Sequence, residues 1–509
     1  MITRGIDMRL NVRPVFIGFV HQYYYEGPCR FERGEALTGE YERMMNPHLY
    51  KDFVDTVKQH VSTDVCNILD PVYVEREDDW VIPEKIFEEM GKESDKVDLY
   101  ILSAGIGRGT IVTEFAVRFK KPMMMLPTEC CNLQAASAAV TSKGVEYYSC
   151  LTWEDFEQQL RVLRVRKVLQ NTRILLATRF NSNYTIADSD SFFSLDDVTD
   201  KFGIKFRYMN VHELIDMMSP LPEGGNHTTP GRKTPNLDEN DLKEVKRLAD
   251  ELTAGAEVID IQREYLENSL KAYVTIKKNL DIHECSAFTV PCPDSCSTRR
   301  LNENKFTFCF SHSLLTEEGI PSACEYDINA LVSMIVLTNI SGKAPYMGNT
   351  NALPIVDGKV NNMAHFDASC LDNVSDTSNL YNSAHSVPNR AFKGIDKEKS
   401  NYSIRHFAHD QGFGAVMRYD FKQDIGQTIT ACRFSPDMTK MFVGKGEIVS
   451  GAGYGENNCN NSVVYRVADI EKFFKAQSYV GNHLPLVYGD YTAELCELGR
   501  IMGFEVMSV

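Results

Sequence analysis

The apolar residues of this chain come in two rhythms, and the change between them limits the fold more than any other feature. Up to about residue 345, short runs rich in branched and aromatic residues alternate with amphipathic stretches. PVFIGFV (14–20), DVCNILD (64–70), VDLYILSAG (97–105) and KPMMMLP (121–127) are short apolar runs bounded by turn residues, the pattern of parallel strands buried on both faces. A helical stretch rich in Arg, Leu and Val (about 153–170) leads into RILLATRF (173–180) and KFRYMNV (205–211), the first strands of a second α/β unit. Inside that unit, the Gly- and Pro-rich segment 221–240 reads as an exposed loop, and an amphipathic helix starts from Leu242. ACEYDINALVSMIVLTNISG (323–342) carries apolar residues at helical spacing, with Gly342 and Pro345 as stop signals. From about 346 the texture changes: FGAVMRYDF, QTITACRF and MFVGKGEIVSG are separated by Gly, Asp and Pro, as in a barrel or sandwich. A helix, TAELCELGRIMG, closes the chain. The expectation is an α/β fold class: two Rossmann-like α/β domains, 1–170 and 171–345, then a C-terminal mainly-β domain, 346–509. A chain of 509 residues is too long for one hydrophobic core.

Charge narrows the partners. The net charge of −16, from 70 acidic against 54 basic residues, repels phosphate backbones and anionic lipid, and no basic cluster overrides it. Nucleic acid and membrane partners are therefore not expected. No run of 18 apolar residues occurs, and the N-terminal stretch reads as a first strand rather than a signal peptide. Fourteen cysteines in this setting fit a reduced, cytoplasmic compartment, where thiols pack as small hydrophobes. Cys292 and Cys296, in CPDSC, lack the second CxxC or HxxxH pair that a structural zinc site needs. Gly105, Gly107 and Gly109 do not form GxGxxG, because position 110 is Thr, so a tight strand-to-helix turn is the better reading.

Three stretches hold residues suited to chemistry. In FCFSHSLLTEEGIPSACEYDINALVSM (308–334), Glu325 and Asp327 precede an apolar helix, where acidic residues commonly cap free amides. In MGNTNALPIVDGKVNNMAHFDASC (347–370), His365 and Asp367 lie two apart in a predicted strand and so share a face. In VGNHLPLVYGDY (480–491), His483 sits just before the last strand, a place where a lone histidine is more often structural than a ligand.

GIPSACEYDINAL, MGNTN, AHFDASC and NHLPLVYGDY, in that order, resemble the landmarks of the L-fucose isomerase and L-arabinose isomerase superfamily. The resemblance is clearest from about 306 to 509. It implies two N-terminal α/β domains with a C-terminal barrel-like β domain, and a homo-oligomer, trimer or hexamer. It also implies a divalent cofactor, usually manganese, bound at the boundary of the last two domains. Carried over by residue, the metal ligands are Glu325, Asn349, His365 and His483, with Asn482, Asn349 and Asp327 as substrate-binding residues. Asn349 stands where the fucose isomerase branch has an aspartate that binds metal and moves protons. An amide oxygen can ligate but cannot take a proton, so the second catalytic carboxylate beside Glu325 is expected at Asp367, with Asp357 the less favoured choice. The implied activity is aldose–ketose isomerisation of a deoxyhexose or pentose through a cis-enediol. The same pocket could also serve an epimerase, a lyase or a non-catalytic sugar-binding protein.

Overall fold

The computed structural model describes residues 2–20, 31–32, 35–36, 38–77, 83–104, 109–178, 184–187, 191–221, 234–291, 295, 299–353, 355–356, 359–360, 368–408 and 412–509. The chain divides into two compact units, Met8–Arg164 and Met1–Asp7 with Val165–Val509.

The Met8–Arg164 unit is built on six parallel strands: β1 (Leu10–Val20), β2 (Cys66–Ile68), β3 (Val72–Glu77), β4 (Leu99–Ala104), β5 (Met123–Met125) and β6 (Tyr147–Tyr148). The long β1 pairs with β2 through Leu10–Val12, with β3 through Val15–Val20, and with β4 along its other edge. The four runs predicted from sequence form β1, β2, β4 and β5. β3 and β6 have no comparable apolar signal: VYVERE is half polar and YY only two residues long. Val15, Ile17, Tyr100, Leu102 and Phe115 fill one core, as a sheet covered on both faces requires.

The second unit combines several sheets. Four parallel strands, β7 (Arg173–Thr178), β8 (Lys205–Asn210), β10 (Ala287–Thr289) and β11 (Ser322–Ala323), lie in the order β8-β7-β10-β11. A three-stranded sheet joins β9 (Val258–Asp260) to β14 (Ser403–His406) and β15 (Ala415–Arg418). A seven-stranded sheet runs β12 (Asn349–Ala352), β13 (Leu380–His385), β18 (Asn461–Val467), β17 (Lys440–Ala452), β16 (Thr428–Phe434), β19 (Leu486–Tyr488), with β20 (Glu505–Ser508) added parallel to β17.

The barrel-like expectation needs correction. Among the described residues the seven-stranded sheet does not close by a strand ladder; its ends meet at the isolated bridges Tyr346↔Leu486 and Asn349↔His483, joined by backbone hydrogen bonds from Leu484 N–H to Gly348 O and from Thr350 N–H to Asn482 O. β12 and β19 are only four and three residues long, too short for a continuous seam. Their meeting nonetheless brings Asn349 and His483 side by side.

Two helices adjoin β11 in the chain. α1 (Phe308–Glu317), which precedes it, is buried along its whole length. α2 (Ile328–Ser341) follows it and is likewise enclosed, which its run of apolar residues on every face demands. No described helix is long and apolar enough to cross a membrane. His365, Asp367 and Asp357 lie outside the described residues, as do Cys292, Cys296 and Gly105 to Arg108.

Candidate active site

β11 delivers the chain to the carboxyl edge of its parallel sheet, where ligands commonly sit. The next residues, Cys324, Glu325, Tyr326 and Asp327, make the connection to α2. Glu325 and Tyr326 both adopt left-handed backbone, at φ 60° and 59°. Such conformations cost non-glycine residues of order 1–3 kcal/mol each and persist only where surroundings enforce them. Here Tyr326 N–H donates to Val290 O at 3.1 Å, and Asp327 Oδ1 caps α2 by accepting from Ala330 N–H at 2.9 Å.

The bend places the Glu325 carboxylate against two imidazoles. Oε1 lies 3.2 Å from His385 Nε2, and Oε2 lies 3.5 Å from His483 Nε2. His385 ends β13, and its register is set by the pairing of Asn349 with Ala384. His483 precedes β19 and bridges Asn349. Antiparallel pairing thus brings two histidines, 98 positions apart in sequence (483 − 385), to one carboxylate. Cys324, Glu325 and His385 present possible ligand atoms within 4.8 Å of one another.

A second layer holds these groups. Asp327 Oδ2 is 2.9 Å from His483 Nδ1 and 2.6 Å from Arg433 Nη1, and Asp327, Arg433 and His483 are all fully buried. An ionised carboxylate only accepts, so Nδ1 of His483 carries a proton and donates to Asp327, which leaves Nε2 facing Glu325. This carboxylate–imidazole arrangement is the usual orienting device behind a metal-bound histidine. Arg433 also donates to Val480 O at 2.5 Å and to His483 O at 2.9 Å. On the other side, Ser386 N–H donates to His385 Nδ1 at 2.9 Å.

Charge follows geometry. Burial pushes the Glu325 carboxyl up, but the His385 hydrogen bond and the charges of His385 and His483 bring it below its ordinary value. Burial also opposes ionisation of Asp327, yet Arg433 and His483 hold it well below the usual carboxylate range. His312, on α1, is fully buried with Nδ1 2.7 Å from Ser322 Oγ, and its pKa is lowered to about 4, by burial first and by His385 in part.

Of the residues expected from sequence, Glu325 and His483 come together. Asn349 and Asn482 sit beside them, the Asn482 amide donating to Asn349 Oδ1. Asp327, expected to bind substrate, faces Ala330, Arg433 and His483 instead of open space. His385 escapes sequence reasoning. It stands alone in LYNSAH, without any spacing signal, and only the β12–β13 register reveals its place.

One carboxylate oxygen with two imidazoles fits manganese, magnesium or cobalt, while the nearby Cys324 thiol is the feature that would favour zinc.

No family model matches the chain. Over 354 residues, 68% of this chain and 67% of the relative, it is 24% identical to a protein named sulfoquinovose isomerase from Priestia aryabhattai. The protein of the same name from Priestia megaterium matches to the same extent. A stretch of 113 residues is 33% identical to the sulfoquinovose isomerase of Alkalicoccus urumqiensis, covering 21% of this chain and 24% of that one. These similarities support an isomerase enzyme of carbohydrate metabolism, with sugar isomerisation as its broad function.

Proposed function

We propose that this chain is a metal-dependent aldose–ketose isomerase that moves a proton between C1 and C2 of an open-chain sugar through a cis-enediol. The observation that carries the reading is the meeting of Glu325 with His385 and His483 behind a buried Asp327–Arg433 pair. Glu325, His385 and His483 would hold the ion, with the Asn349 amide oxygen beside them. When bound, a divalent cation supplies Lewis acidity to the sugar's neighbouring oxygens.

The chain's own residues supply the rest. Glu325 is ionised at neutral pH and is the carboxylate available to accept a proton. Asp327 cannot share that work, because both of its oxygens are taken. Asn349 has no acidic proton to give. Asp367 therefore stands as the proposed second carboxylate. The same reading carries a homo-oligomer in the cytoplasm and, from the names of the relatives, places sulfoquinovose among the first sugars to try. Asn349 in the place of an acid is the observation that favours a second reading, an epimerase or lyase working through the same enediolate.

A panel of aldoses including sulfoquinovose, supplied with manganese, magnesium, cobalt or zinc, tests both, with products identified by NMR. Ketose formation that requires the metal supports the isomerase. A C2 epimer or a cleavage product would replace it with the second reading, and turnover untouched by chelation would overturn the metal.

A further inference from the structure

Arg418 and Arg433 are both fully buried, but they are served very differently. Arg433 gives Nε to Val480 O and Nη1 to Asp327 and His483 O. Arg418 gives Nη2 to the backbone oxygen of Asn458, while its Nε and Nη1 are buried without a hydrogen-bond partner among the described residues. Among the described residues no carboxylate forms an ion pair with it, and Glu456 lies within its electrostatic reach. Burial lowers its pKa to about 10, so it remains a cation at neutral pH. Dry N–H groups on a cation are among the costliest arrangements a fold can hold.

The place of this guanidinium matters. Arg418 ends β15, and the next residue, Tyr419, donates its N–H to Asn461 Oδ1 at 2.7 Å. Asn461 O accepts from the Tyr346 hydroxyl, which in turn accepts from His385 N–H at 2.6 Å. The Tyr346 phenol and the Cys309 thiol lie within electrostatic reach of Arg418. Cys309 Sγ accepts from Ser386 Oγ at 3.0 Å, one residue beyond His385. Cys459, next to Asn458, is exposed and lies within electrostatic reach of both Glu325 and Arg418. The guanidinium is thus linked to the Glu325–His385 pair through Tyr346 and Cys309, which lie within its electrostatic reach and hydrogen-bond His385 N–H and Ser386 Oγ.

We propose that Arg418 recognises an anionic substituent, a sulfonate, phosphate or carboxylate, on the sugar held at Glu325, His385 and His483. This rests on the isomerase reading. Such groups offer the oxygens that Nε and Nη1 lack, in charge-assisted hydrogen bonds for which guanidinium is well suited. Selectivity follows from the same cost: a sugar without the anion leaves the buried donors unanswered.

The test compares sulfoquinovose with quinovose, which lacks the sulfonate, on the manganese-loaded protein and its Arg418→Met and Arg418→Lys variants. The ratio of kcat/KM between the two sugars should fall by about 100-fold in Arg418→Met and recover in part in Arg418→Lys. Glucose 6-phosphate and glucuronate identify whether phosphate or carboxylate is the preferred anion. Calorimetry with methanesulfonate reads the site without turnover: the wild type should bind it and Arg418→Met should not. Methanesulfonate binding that depends on Arg418, in a protein that isomerises no sugar, would overturn the isomerase reading and keep the anion site. An unchanged sugar ratio in Arg418→Met, or methanesulfonate binding unaffected by that change, overturns the proposal. Failure of both variants to fold also overturns it, by making Arg418 a structural residue.

Discussion

Glu325 and Asp327 are two residues apart, yet the fold gives them opposite duties. Glu325 is partly open to solvent and faces both imidazoles, whereas Asp327 is sealed behind His483. Glu325→Gln should keep the fold, with a melting temperature close to wild type, and reduce turnover by about 10²–10⁴-fold, as expected for a positioned acid or base. Asp327→Asn should act differently. It leaves the Arg433 cation without its buried partner, costing about 3–5 kcal/mol in denaturant unfolding, and lowers metal affinity by about 10–100-fold through a misaligned His483. Equal stability in the two variants would contradict this division. His312 carries a third expectation. Its folded pKa of about 4 lies below the ordinary 6.5, so the unfolded chain binds the extra proton between those values. Its share of stability is complete above about pH 6.5 and is lost as pH falls towards 4, of order 3 kcal/mol at roughly 1.4 kcal/mol per unit. Urea midpoints measured across that window should flatten in His312→Gln.

Among the secondary-structure elements, the pairing of β12 with β13 is the one the site depends on. Side chains alternate along a strand, so a slip of one residue would turn His385 to the opposite face. Gly348, just before β12, secures this approach: a Cβ there would lie 2.8 Å from Ala384 N and 3.1 Å from Ser383 C, both backbone atoms that cannot swing away. Gly348→Val should therefore destabilise by about 1–3 kcal/mol and depress turnover, because Ala384 adjoins His385. Wild-type kinetics and unfolding in that variant would show that the β12–β13 spacing is not critical. The β-texture after residue 346 correctly locates β15, β16 and β17, since short apolar segments bounded by Gly, Asp and Pro report a strand wherever it pairs. It cannot report which strands pair, and so cannot tell a closed barrel from a sheet whose ends meet along the short stretch between Tyr346–Thr350 and Asn482–Leu486.

Across the second unit as a body, the proposed ion would tie the β11–α2 connection to β13 and to the segment before β19, three stretches distant in sequence. A ligand bound only by the folded state stabilises it by mass action, about 2.7 kcal/mol at a hundred times its Kd. Chelation with EDTA should lower the melting temperature of the protein and abolish turnover, and added manganese should restore both; a melting temperature indifferent to chelator and metal would speak against the site. Local apolar periodicity and capping chemistry are enough to place the parallel strands β1, β4 and β5, the enclosed helix α2, and Glu325 close to a helix start, because each of these features is written within a few neighbouring residues. His483 is also legible, through the motif NHLPLVYGDY rather than through spacing. His385, the Asp327–His483–Arg433 relay and the unanswered Arg418 emerge only in three dimensions. Each depends on which strands become neighbours and in what register, and that choice is made by the packing of residues far apart in the chain, where no local pattern records it.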